Sequence, residues 1–154
     1  MSSAASFSIR QLSPTDLALM DGLLEMFGGA FEDAETYGGN RPGPAYLRRL
    51  LGSDTFIALA AVKGGVVVGG IAAYELHKFE QERSEIYLYD LAVDAAHRRE
   101  GVATALIEEL KRIAATRGAY VIFVQADHGD DPAIALYTKL GVREDVLHFD
   151  IAPR

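Results

Sequence analysis

A chain of 154 residues that is 49% hydrophobic has the length and apolar content of one globular domain with a full-sized core. It contains no cysteine, which excludes a disulfide framework and a thiolate zinc site, and no run of about 20 apolar residues that could span a bilayer. Fifteen Lys and Arg stand against 22 Asp and Glu, a net charge of -7, so nucleic acid and anionic membranes are poor partners unless a basic patch breaks the trend.

The opening "MSSAASFSI" lacks the basic start and long apolar run of a signal peptide, which together with the missing cysteines fits a cytoplasmic protein. "FSIRQL" alternates with period two and predicts a first strand. "SPTD" predicts a helix start, with Ser13 as cap, Pro14 in the first helical position and Asp16 in the first turn, and the helix should fade by Gly28-Gly29. The breaker-rich "YGGNRPGP" predicts a mobile loop, and "AYLRRLLG" a short helix after it. "TFIALAAV" and "VVVGGIAAYEL" flank Lys63-Gly64-Gly65 and predict a hairpin with a glycine turn.

"EIYLYDLAV" predicts a fourth strand, and "VATALIEELKRIAATRG" the clearest helix, striped by Val102, Leu106, Leu110 and Ile113 and stopped by Gly118. "AYVIFVQA" predicts a buried strand. Asp131-Pro132 starts a further helix through "AIALYTKLG", with Asp131 as its cap, and "VLHFDI" predicts a closing strand. Alternating strands and helices argue an α/β or α+β domain with a mixed sheet, filling residues 1–154 without linker or repeat.

Two features are odd in an acidic chain. Arg98 and Arg99 stand just before a glycine and a helix start, where the exposed amides already carry positive potential. An anion resolves the conflict: Gly101 allows close backbone approach, Ala103 keeps the helix start slim, and the amides with both arginines make a cradle suited to pyrophosphate. The second oddity is Asp90. Strict alternation puts it on the face of Ile86 and Leu88, where an unpaired carboxylate is costly, whereas a bulge aims it elsewhere. A strand-end Asp with a local hydrogen bond is the alternative. His77, His97, His128 and His148 show no metal-binding spacing, so no metal is expected, and Tyr87 and Tyr89 are read as sheet packing.

"RREGVA", matching Q/R-x-x-G-x-G/A between a strand and a helix, together with "DPAIALYTKLGV" downstream, resembles the GCN5-related N-acetyltransferase superfamily. "FEQERSEIYLYDLAV" and "QADHGDDPAIALYTKLGVREDVLHFDI", with "ETY" and "RPGPAYLRRLLGSD", are similar to the type I aminoglycoside 3-N-acetyltransferases, the gentamicin acetyltransferases, from about Phe7 to the C-terminus.

The resemblance implies an α/β (α+β) fold with a mixed sheet of about six to seven strands, splayed between the fourth and fifth, and about four helices. It implies acetyl-CoA as cosubstrate. The backbone of Leu91, Ala92 and Val93 would pair with its pantetheine, and Arg98, Arg99, Glu100, Gly101, Val102, Ala103 and Thr104 would hold its pyrophosphate. It assigns Tyr137 as the acid for the departing thiolate and Asp90 as acceptor ligand and base. Asp127 would face the same cleft, and Asp33, Glu35 and Asp145 are candidates for a polycation's other ammonium groups. The expected partner is a polycationic small molecule, an aminoglycoside, with no nucleic acid or membrane, and a homodimer is left open. A polyamine or protein N-terminus as acceptor, or a CoA-binding module without turnover, are the alternatives.

Overall fold

The computed structural model describes residues 6–154, so the first five positions of the stretch read for a signal peptide lie outside the described residues. The chain forms two compact units, Met1–Phe123 and Val124–Arg154. The described strands make one sheet in sequential order: β1 (Ser8–Gln11), β2 (Phe56–Lys63), β3 (Val66–His77), β4 (Ser84–Val93) and β5 (Ala119–Val124). The first three pairings are antiparallel. The helices are α1 (Leu17–Ala30), α2 (Pro44–Leu51), α3 (Val102–Arg117) and α4 (Asp131–Leu140). Among the described residues no helix is long and apolar enough to cross a membrane.

The sheet is covered on both faces of its centre, which is why β2 reads as a continuous apolar run rather than an alternation. Phe56, Ala58 and Ala60 join Met20, Leu23 and Phe27 of α1 and Leu47 and Leu51 of α2 in one cluster. The intervening Ile57, Leu59 and Ala61 are fully buried on the opposite face. That face is covered by α3, whose Val102, Leu106, Leu110 and Ile113 are buried as their stripe predicts.

Two adjacent glycines of β3 let both helices seat closely. A side chain on Gly69 would meet Val102 Cγ1 at 2.8 Å, and one on Gly70 would strike Leu23 Cδ1. The β2–β3 turn carries positive φ at both Gly64 and Gly65, +57° and +79°, as a two-residue hairpin turn demands. At the far end of β3, burial pushes the Glu75 carboxyl up, but hydrogen bonds from Ser84 Oγ (2.6 Å) and Arg117 Nη1 (2.7 Å) outweigh it and leave the group below its ordinary value.

Several expectations need correction. The sheet has five strands among the described residues, not six to seven, and "VLHFDI" carries no strand. β5 is only partly covered, with Tyr120 48% and Val121 39% exposed. Ser13 does not cap α1. "SPTD" closes a turn instead, because the Asp16 carboxylate folds back to accept from the Ser13 amide (2.8 Å) and from Arg10 (2.7 Å), and the helix begins at Leu17. Asp130 rather than Asp131 caps α4, accepting from the Ala133 amide.

Candidate active site

The site's first part is local. Asp94 opens a short 3-10 turn, Ala95–His97, and the chain then passes through Arg99 and Gly101 into α3. Arg99 has φ +67° and Gly101 φ +82°, both in the left-handed region. For an arginine that conformation costs about 1–2 kcal/mol, and such strain gathers at functional loops. A Cβ on Gly101 would meet nothing within 4 Å, so the glycine is required by its dihedral angle rather than by crowding.

No side chain caps α3 and no acid sits in its first turn, so its first amides are left for an outside partner. Arg98, Arg99, Gly101, Ala103 and Thr104, with Val93, His97 and Val102, line a depression of about 310 Å³ over this helix start. The Glu100 side chain is turned elsewhere, to Lys63 Nζ at 3.1 Å and His97 Nδ1 at 3.6 Å. Two exposed cations, uncapped amides and a positive helix end fit a pyrophosphate.

The second part is assembled from distant residues. In β4 the pairing with β3 slips: Ala73 faces Leu88, but Ala72 faces Asp90, leaving Tyr89 as the extra residue of a bulge. Ile86 and Leu88 are buried away from the α1 cluster, whereas Ala72 packs against that cluster and Ala92 belongs to it. The bulge therefore moves Asp90 from the α3 face, where strict alternation would bury it among aliphatics, to the α1 face.

There Tyr37 donates its phenol to Asp90 Oδ2 at 2.9 Å. Burial pushes the Asp90 carboxyl above its ordinary value, and the Tyr37 hydrogen bond partly opposes that shift. Tyr37 belongs to a π-helical turn, Glu35–Gly39, directly after α1. Its ring packs among Phe27 (5.9 Å) and Phe31 (5.6 Å).

Next to Asp90, Tyr89 is 58% exposed and turns its edge to Tyr74 (5.7 Å) and Tyr87 (5.5 Å). Tyr87 in turn stacks on Phe123 at 4.6 Å. Tyr74, Tyr87 and Tyr89, with Thr55, Leu76 and His77, line an open depression of about 540 Å³. Tyr89 is thus a surface residue rather than simple sheet packing.

The remaining predicted acids are divided. Asp33 and Glu35 are exposed on the segment that carries Tyr37, and Asp33 Oδ1 also accepts from the Thr36 amide at 3.1 Å. In the second unit, Asp127 is exposed in the turn before α4, and Asp145 is held by Arg143 Nε at 2.8 Å. Tyr137 lies in α4, half-buried, its carbonyl accepting from the Gly141 amide. Sequence reasoning missed Tyr37 and Tyr74. The signal for Tyr37 was thin, a single aromatic before a Gly-Gly pair in a stretch without periodicity.

Comparison with known proteins fits this geometry. The chain is 68% identical to the aminoglycoside acetyltransferase HMB0005 from an uncultured soil metagenomic sample, over 97% of this chain and 99% of that one, with a TM-score of 0.94. It is 29% identical to the aminoglycoside acetyltransferase meta-AAC0020, also from soil metagenomic material and solved in complex with sisomicin, over 96% and 97% of the two chains, TM-score 0.88. Against [ribosomal protein bS18]-alanine N-acetyltransferase of Salmonella typhimurium the identity is 29%, over 95% of this chain and 87% of that protein. Its matches to curated rat and mouse N-acetyltransferases of family 8 span only 39–40% of their length. Residues 21–142, a span that holds the glycine-led helix start, the bulged strand and Tyr37 alike, match the acetyltransferase (GNAT) family. The chain therefore belongs to the GNAT acetyltransferases, enzymes that draw their acyl group from acetyl-CoA.

Proposed function

We propose that this chain, acting as one acetyltransferase domain over residues 1–154, transfers an acetyl group from acetyl-CoA to the 3-amino group of an aminoglycoside. The observation that carries the reading is the 68% identity, over nearly the whole of both chains, to an aminoglycoside acetyltransferase. The sisomicin complex of meta-AAC0020 supports a small polycation as acceptor. The 3-position rests on the long segments "FEQERSEIYLYDLAV" and "GDDPAIALYTKLG". Acetylation removes one positive charge from such a drug and weakens its hold on anionic RNA, which is resistance in a cytoplasmic setting.

Bound acetyl-CoA supplies an activated thioester. In this reading Arg98, Arg99 and the amides of Gly101 to Thr104 hold its pyrophosphate, and the edge of Leu91, Ala92 and Val93 pairs with its pantetheine. Asp90 takes a proton from the acceptor's ammonium group, leaving a neutral amine to attack the carbonyl carbon. A carboxyl raised by burial is better matched to that task near neutral pH than an ordinary one. The nitrogen–carbon bond forms, the carbon–sulfur bond breaks, and Tyr137 protonates the thiolate as the product nitrogen sheds its second proton. Asp33, Glu35, Asp127 and Asp145 attract the acceptor's other ammonium groups.

A second reading, transfer to a protein N-terminus, is favoured by the likeness to the Salmonella bS18-alanine enzyme. Incubation with acetyl-CoA and, separately, gentamicin, kanamycin, spermidine or an alanine-led peptide tests both, with mass spectrometry to count acetyl groups and NMR to locate them. Acetylation of the peptide alone would overturn the aminoglycoside reading.

A further inference from the structure

We infer that Tyr37 is a positioning residue for Asp90: its phenol holds Oδ2 of the carboxylate and leaves Oδ1 to face the acceptor amine. The inference rests on the reading of Asp90 as the base. The bond joins residues 53 positions apart, so it is made by the fold and not by local sequence.

Everything around Tyr37 fixes that phenol in place. Its ring is wedged against Phe27 and Phe31, which themselves stack at 5.5 Å. Its amide donates to the Asp33 carbonyl (3.3 Å), its carbonyl accepts from Arg41 Nη2 (3.3 Å), and Gly28 leaves room for its Cβ at the end of α1. An ordinary surface tyrosine does not need support on this scale.

The neighbours of Asp90 are phenols. Tyr37 reaches it from the loop after α1, Tyr74 from β3, and Tyr87 and Tyr89 from β4, while Asp33 stands near Tyr37. Burial raises the carboxyl and only the Tyr37 bond lowers it, with no cation acting on it among the described residues. Tyr37 thus does what an arginine would do elsewhere, but without neutralising the charge that must bind an ammonium group. Burial, then Asp90 itself, push the Tyr37 phenol upward, so it remains a donor throughout the working pH range.

Tyr37→Phe tests this cleanly, because the packed ring stays and only the hydroxyl is lost. Two readouts are needed: the Asp90 carboxyl followed by carbon NMR against pH in the free enzyme, and the acid limb of kcat/KM for gentamicin. A hydrogen bond to a charged group corresponds to a shift of about one to two pH units. Both readouts should move up together by that amount, with turnover reduced about tenfold near neutral pH and recovering in alkali. A carboxyl that titrates as in the wild type overturns the inference. A carboxyl that shifts while the kinetic limb stays put upholds the Tyr37 tie but removes Asp90 from the role of base.

Discussion

The two halves of this site are built in opposite ways. The loop from Arg98 to Thr104 is one continuous stretch, its shape set by left-handed angles at Arg99 and Gly101 and by the uncapped start of α3. The Asp90 side has no such continuity. It needs a bulge in β4, a phenol from the turn after α1, and a tyrosine from β3. A local device survives most changes elsewhere, whereas an assembled one fails when any contributor shifts.

Substitutions sharpen the contrast. The largest effect should come from Asp90→Asn, which keeps size but loses charge and basicity. Turnover near neutral pH should fall by about 10²–10⁴-fold, and the defect should shrink as alkali supplies neutral amine. The Asp90 carboxyl is raised above its ordinary 3.8, so the native state binds the proton more tightly than the unfolded chain does. Its contribution to stability therefore declines as pH rises from that value through the raised one and stays unfavourable above it. Calorimetry should accordingly find Tm of Asp90→Asn unchanged or higher at neutral pH. A nearly silent variant under chemistry-limited turnover would move the base to Asp127 or to ordered water.

Tyr137→Phe should follow, lowering kcat by about 10²-fold while leaving acetyl-CoA affinity nearly intact. Wild-type turnover, with the chemical step limiting, would remove Tyr137 as the acid. On the local side, Gly101→Val must enter the left-handed region at a cost of about 1–2 kcal/mol, so isothermal titration should show acetyl-CoA binding weakened about tenfold. Arg98→Ala should weaken it a few-fold, more at low salt than at high, because an exposed cation is readily screened. Wild-type affinity in both would take the cosubstrate away from this loop. The smallest effect is expected from Asp145→Asn. That carboxylate is already held by Arg143, so KM for the drug should rise by less than about twofold.

How much was legible in the sequence follows the same division. The stripe Val102, Leu106, Leu110 and Ile113, the glycine turn at 64–65 and the loop at 98–104 all declare themselves within a few residues, and the structure has them where periodicity and turn chemistry place them. Asp90 was legible as a conflict between pattern and polarity, which pointed to a bulge. Its partner was not, because nothing in a linear pattern links positions 37 and 90. Asp16 misled the reading for a related reason. Its carboxylate is spent on Arg10 and the Ser13 amide, and a propensity rule does not see that competition. "VLHFDI" alternates as a strand should, yet alternation reports only which side chains share a face and not whether a neighbouring strand is there to pair with.

The bulge at Tyr89 also has a consequence for how this gene can vary. Losing one codon there would restore regular pairing along β4 and return Asp90 to the face of Ile86 and Leu88. The sheet would gain regularity while its carboxylate turned from the acceptor toward an aliphatic interior. Single-residue deletions at most strand ends are absorbed by the adjoining loop. At this position the frame of the pleat itself decides on which side of the sheet the chemistry stands, so selection for activity should tolerate exchange of residue 89 far better than its loss.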